Sequence, residues 1–348
     1  MLVDADSKTI SEIGEKRLIS DFVRPFFNRA NSVGGVGDDC AMIDISEDSL
    51  LLASTDRVPA NLIAFELGLL DHYGLGRYLA CLNLSDIAAC GGTPEAMLLN
   101  MGLPGSLPYR DFAAICTGFG ELASSFKCPV LGGDITESAE LSISATAIGR
   151  VRKSHVLTRR GATDGDVIFV SRPIGLTPAA FAFYRSGLPQ ILEPDEIRKL
   201  NGQFTQLLPM FELSSRLVSE GVCTSCMDNT DGIGQSFTEL AEQSGTRIVI
   251  NLDTIVIPDV VRKVAVAVGE AANLLALGAG ADFSLVGTLR GNWTSESAGR
   301  AFGLPVQIIG RVERGSGVFV EQQGSRQSLS VGGWNYFAGS SVKSRGSG

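Results

Sequence analysis

A chain of 348 residues with 44% hydrophobic and 19% charged residues has the makings of two cored globular domains, which excludes a disordered chain. Its formal charge of −9 leaves no Lys/Arg cluster to neutralise phosphates, so no nucleic-acid partner is expected. The apolar runs are too short, and too often broken by Gly and polar residues, to span a bilayer, so no membrane partner is expected either.

Taken in chain order, Thr9 and Glu12 make a capping-box pair opening a helix with inner face Ile13, Leu18, Ile19, Phe22 and Phe26. The glycine-punctuated loop Val33–Asp39 leads into strands over Cys40–Ile45 and Leu50–Ser54. A helix over Gly74–Cys90 stops at Gly91-Gly92. A strand near Met97–Leu103, a helix over Tyr109–Phe126 and a strand closing on Gly132-Gly133-Asp134 come next. Leu141, Ile143, Ala145 and Ala147 alternate with polar or small neighbours, the mark of a half-buried strand. Periodicity lapses over Lys153–Gly165, which we take as the boundary between domains at 1–150 and 151–340, with 341–348 as a flexible tail.

The second half mixes strands at Asp166–Ser171, Val222–Met227, Arg247–Asn251, Phe283–Leu289, Val306–Val312 and Val318–Glu321 with helices. Those helices are expected near Thr177–Ser186, over Glu196–Ser219, Gly234–Ser244 and Val260–Ala276. Such alternation predicts a mixed α/β or α+β fold with open sheets. The N-terminus lacks the basic-then-apolar pattern of a signal peptide, and seven scattered cysteines suit reduced thiols, so the expected location is cytoplasmic.

Five apolar runs end on Asp: Gly37-Asp38-Asp39, Ser54-Thr55-Asp56, Asn83-Leu84-Ser85-Asp86, Gly132-Gly133-Asp134 and Asp228-Asn229-Thr230-Asp231. Any one of them alone reads more readily as a turn former. Together, flanked by small residues that admit phosphates, they point to carboxylates gathered on Mg2+ and a nucleotide. The glycine loop is not a Walker pattern, since no Gly-Lys-Ser/Thr follows it. Histidine catalysis is not expected, because neither His72 nor His155 lies beside a nucleophile in the sequence, and Cys223-Thr-Ser-Cys226 has no second pair at zinc spacing. Arg159-Arg160 is placed either to hold a phosphate or carboxylate or to make a solvated basic turn.

In their order, these pieces, with Thr158-Arg159-Arg160-Gly161-Ala162 and Gly165-Asp166, resemble the thiamine-monophosphate kinase family. That family lies within the superfamily of aminoimidazole ribonucleotide synthetase, selenide water dikinase and a hydrogenase-maturation dehydratase. The resemblance, over roughly residues 15–340, implies a two-domain α+β subunit whose N-terminal sheets pair across a homodimer into a barrel, with ATP and Mg2+ between the domains. By position, Asp38, Thr55, Asp56, Asp86, Asp134, Asp228 and Asp231 would bind metal, and Asp38, Asp231 and Arg159 would serve catalysis. Gly35, Gly37, Asp39, Asn83, Gly132, Gly133 and Thr230 would contact the nucleotide, and Asp282, Phe283 and Trp334 the small-molecule acceptor.

The acceptor half departs from the family. Its Gly-Gly-Glu-Asp-Tyr-Glu-Leu element becomes Ala279-Gly280-Ala281-Asp282-Phe283-Ser284-Leu285. A Val-His-Phe becomes Ile63-Ala64-Phe65, an Asp becomes Asn335, and an Arg-Pro…Pro-Arg segment is reduced to Leu207-Leu208-Pro209-Met210. The expectation is therefore an ATP- and Mg2+-dependent phosphotransferase acting on an acceptor other than thiamine monophosphate, since lost polar contacts remove discrimination. A true thiamine-monophosphate kinase, a synthetase or cyclase working through a phosphorylated amide or carbonyl, and an idle nucleotide-binding protein are the alternatives.

Overall fold

Strands β1 (Ala41–Asp44), β2 (Ser49–Arg57), β3 (Thr93–Leu103), β4 (Val130–Glu137) and β5 (Ser142–Arg152) form one sheet in the order β1-β2-β5-β3-β4. This computed structural model describes residues 9–23, 37–278 and 280–329. The expected alternation in β5 is present: Ile143, Ala145 and Ala147 are buried and their neighbours are not. In β2 the same period puts Leu50, Leu52 and Ser54 on the covered face and carries Asp56 to that face too.

Helix α1 (His72–Ala89) covers that face. Thirteen of its eighteen residues are buried, so it has no solvent side and must lie between layers. Asp71 caps its start, accepting from Gly74 N at 2.7 Å, and it packs on β2, β3, β5 and β7 (Cys223–Asn229). Helix α2 (Tyr109–Ser125) crosses α1 at glycine contacts. A Cβ on Gly76 would lie 2.0 Å from Ile115 O, and one on Gly118 would lie 2.0 Å from Tyr73 O. Gly76→Ala is therefore expected to cost about 3 kcal/mol by overpacking, read as a melting temperature several degrees lower. Because α2 carries the chain back over the sheet, β3 and β4 run parallel, whereas the other pairs of this sheet are antiparallel.

The second sheet has the order β12-β11-β8-β10-β6-β9-β7. It contains β6 (Val167–Val170), β7, β8 (Arg247–Asn251), β9 (Ser284–Leu289), β10 (Gln307–Glu313), β11 (Gly317–Gln322) and β12 (Ser325–Ser328). Helices α3 (Leu176–Ser186), α4 (Pro194–Thr205), α5 (Phe211–Glu220), α6 (Ile233–Ser244) and α7 (Asp259–Val268) flank it. One hydrophobic core runs from Met42 and Leu84 through Phe237 to Val320, joining both sheets. The architecture is mixed α/β, as expected.

Three expected helices are interrupted. The run 196–219 divides into α4 and α5 around Pro209, which has no N–H for a helix interior. The run 260–276 stops at Gly269 (φ 74) and resumes as Ala272–Ala276. The first helix keeps its Thr9/Glu12 capping box but breaks at Gly14 (φ 79) into Ile10–Ile13, Glu15–Leu18 and a π turn at Ile19–Val23. Phe26, Ala279 and the tail 341–348 lie outside the described residues.

Candidate active site

Strand periodicity, helix phase and one loop bring the carboxylates together. A cavity of about 980 Å³ opens between β2, α1, the Arg159 segment, the end of β7 and α6. Its wall includes Asp38, Asp39, Asp56, Asp86, Asp228 and Asp231. At its floor Asp39, Asp86 and Asp228 bring ligand oxygens within 4.8 Å of one another. Asp86 projects from α1, Asp228 from the buried end of β7, and Asp39 from the loop before β1.

Three carboxylates this close and this dry cannot all stay charged unaided. Burial, opposed by the Arg159 guanidinium, raises Asp39 to about 6. Burial and then the Asp228 and Asp56 charges push Asp86 well above the carboxylate range, and burial and then Asp39 do the same for Asp228. Asp39 Oδ2 and Asp228 Oδ2 are buried and accept no hydrogen bond among the described residues. Buried anionic oxygens without donors suit a hard divalent cation such as Mg2+, so the donor set fits that ion.

Around the floor, side chains hold the ligands in place. The Ser54 hydroxyl donates to Asp86 Oδ2. Asn83 accepts from Asp56 N at 3.1 Å and donates to Leu79 O at 3.0 Å. Both ends of its amide are engaged in a fully buried place, so Asn83 braces the strand–helix contact. Arg159 N donates to Asp38 Oδ1 at 2.8 Å, its Nε and Nη2 reach Asp39 Oδ1 at 3.0 and 2.5 Å, and its Nη1 reaches Glu239 Oε2 at 2.5 Å. Arg159 is thus held between two carboxylates inside the site. Gly37 lines the cavity, and its carbonyl accepts from Gln243 Nε2.

Other expected ligands do not converge. Thr55 lines the cavity, but its hydroxyl donates to Ala145 O at 3.0 Å, because neighbours in a strand point to opposite faces. Gly132, Gly133 and Asp134 lie on the edge strand β4, with β5 and β3 between it and β2. The strand does not end there but runs on to Glu137, and a Cβ on Gly133 would lie 1.6 Å from Leu99 O, so that glycine serves strand pairing. Asp282 is buried, and its Oδ1 accepts from Asn229 Nδ2, Ser284 N and Ser284 Oγ at 3.0, 3.0 and 2.5 Å. Phe283 is buried at φ 52 and meets the Tyr78 ring edge-to-face at 5.3 Å. Both therefore brace the site from behind, and neither lines this cavity or the second one adjoining it. Gly35 and Trp334 lie outside the described residues.

A second cavity, of about 480 Å³, adjoins the first, and Pro59, Tyr78, Thr230 and Asp231 line both. Its other walls are largely apolar, with Leu62, Ile63, Val268 and Leu275 beside the stacked pair Phe181–Phe204, whose centroids are 5.6 Å apart. Sequence reasoning missed Glu239, Gln243 and Tyr78. The polar stripe Gln235, Glu239, Glu242 and Gln243 on α6 follows the helical period and was the available signal.

The family model for AIR synthase related protein, N-terminal domain, matches residues 37–151. A thiamine-monophosphate kinase of Pyrococcus horikoshii is 28% identical over 336 residues, covering 95% of this chain and 98% of the relative. One from Methanocaldococcus jannaschii is 30% identical over 224 residues, covering 61% of this chain and 67% of the relative. The chain belongs to the thiamine-monophosphate kinase family. Among solved structures, AaThiL complexed with AMPPCP and TMP superposes with a TM-score of 0.79 at 24% identity, covering 95% of this chain and 99% of that one. A HypE-HypF complex chain gives 0.71 at 17%, covering 90% and 99%. These two likenesses show that the family's two-sheet fold is present.

Proposed function

We propose that the protein is an ATP- and Mg2+-dependent kinase that phosphorylates thiamine monophosphate to the diphosphate. The observation that carries the reading is the junction of the two cavities: a floor of three buried carboxylates opens, past Tyr78 and Asp231, onto an apolar recess. Asp39, Asp86 and Asp228, joined by Asp38, Asp56 and Asp231, would hold Mg2+, which neutralises the nucleotide's phosphates and the charge that develops on transfer. An oxygen of the acceptor's phosphate forms a bond to the γ-phosphorus as the bond to the ADP oxygen breaks. The apolar recess, of a size suited to a small ligand, would take the acceptor's rings.

The altered element at Ala279–Leu285 had suggested another acceptor. Asp282 is engaged by Asn229 and Ser284 and Phe283 backs Tyr78, so within that element only Gly280 and Ala281, which line the apolar recess, bear on acceptor choice. Relatives spanning nearly the whole chain carry the thiamine-monophosphate name, which favours that substrate. Incubation with ATP, Mg2+ and thiamine monophosphate is expected to yield thiamine diphosphate and ADP by mass spectrometry. ATP consumption that leaves thiamine monophosphate unchanged would overturn the reading, and inorganic phosphate as co-product would point to a synthetase.

In this reading residues 1–150 and 151–340 are the two domains, and the protein works in the cytoplasm as a homodimer. Among the described residues no helix is long and apolar enough to cross a membrane. Support for the dimer comes from β4, an edge strand exposed along its whole length that presents Val130, Leu131 and Ile135 to solvent. A second copy pairing there would also give Gly132–Asp134 a cavity to face.

A further inference from the structure

The manner in which Arg159 meets Asp39 leaves one carboxylate oxygen for a metal, and a residue of α6 enforces that manner. The Nε and Nη2 edge of a guanidinium normally lies along a carboxylate and engages both oxygens. Here both nitrogens converge on Oδ1 of Asp39, at 3.0 and 2.5 Å, while Oδ2 accepts nothing among the described residues. The Asp39 side chain is 1% exposed, so water does not relieve that oxygen. What holds the guanidinium off the bidentate position is the pull on its other end, where Nη1 meets Glu239 Oε2 at 2.5 Å. Glu239 is itself fixed, for its Oε1 accepts from Gln235 Nε2 at 3.0 Å one helical turn away.

We propose that Glu239 is a positioning residue that keeps Arg159 from chelating both oxygens of Asp39, so that Oδ2 stays with Asp86 and Asp228 as a divalent-cation ligand. Glu239 touches neither metal nor substrate in this role; it acts through Arg159. Without it, the guanidinium gains by sliding along Asp39 into the two-bond arrangement, and the three-carboxylate floor loses a donor. The inference rests on the metal reading of that floor and is independent of which acceptor is used.

The test is Mn2+ binding to the nucleotide-free protein, followed by electron paramagnetic resonance of the free ion, with no turnover involved. Glu239→Ala is expected to weaken Mn2+ binding by about 10-fold, within the range for residues that orient metal ligands. Glu239→Gln retains an acceptor for Nη1 and is expected to lose less. In an Arg159→Met background no guanidinium is left to cover Oδ2, so adding Glu239→Ala is expected to cost nothing further. An equal loss in both backgrounds would mean that Glu239 contributes only its charge, which overturns the proposal. So would unchanged binding in the single Ala variant while the wild type binds. A wild type that binds no Mn2+ would overturn the metal reading and this inference together. If the Ala variant folds poorly, the comparison of Glu239→Gln alone and with Arg159→Met decides in the same way.

Discussion

Replacing Asp86 with asparagine is expected to lower kcat/KM about 10³-fold, about 4 kcal/mol of transition-state stabilisation, while making the metal-free protein more stable. The two effects have one cause. Asp86 faces Asp228 and Asp39 within 4.8 Å, and burial, then the charges of Asp228 and Asp56, drive its carboxyl far above its ordinary range. An amide there keeps an oxygen to accept from Ser54 and brings N–H donors beside two carboxylate oxygens, one each of Asp39 and Asp228, that accept no hydrogen bond among the described residues. Mutual repulsion falls, and about 2 kcal/mol of stability is gained, as is common when a functional strain is removed. The same change strips an anionic ligand from the place where phosphate charge must be neutralised. Steady-state kinetics beside melting curves in EDTA would check both signs. A variant that loses activity and stability together would show that Asp86 serves the fold and not the metal.

The stability of the metal-free protein should also fall as the pH rises from 4 to 7, and Mg2+ should remove that dependence. Asp39 titrates at about 6 in the folded chain against an ordinary 3.8, so between those values the folded state binds more protons than the unfolded one. The contribution is fully present below 3.8 and is lost as the pH climbs through about 6. Its size is about 3 kcal/mol, and Asp86 and Asp228, displaced in the same direction, add to it. A bound cation stabilises the charged forms and so cancels the upward displacement. Melting temperatures at pH 5 and 7, with EDTA and with Mg2+, give the comparison. Asp39→Asn in EDTA should flatten much of the slope, and a slope of opposite sign in the wild type would refute the account.

Much of this was legible from the chain because it depends on local pattern. Ile143, Ala145 and Ala147 announce β5, and Gly91 marks the end of α1. The Asp motifs that meet at the floor sit where such elements end. What was not legible depends on direction and on distant partners. Thr55 lines the cavity, but its hydroxyl is taken by Ala145 O, 90 residues further along the chain. Asn83 and Asp282 look functional by type but are consumed by Asp56, Asn229 and Ser284, partners far away in sequence or, for Ser284, two residues on at the start of β9. Glu239 lies 80 residues from the arginine it restrains. No periodicity reports such a pairing; only the folded chain does.

Helix α1 carries Asp86 at one end of the site and Tyr78, the partition between the two cavities, at the other. The eight residue steps from one to the other, at 1.5 Å each, set these points about 12 Å apart along one rod. Its glycine crossing with α2 leaves no slack for sliding. The span from metal to partition is thus a fixed gauge, and any opening or closing of the site must move the walls around that rod, not the rod itself.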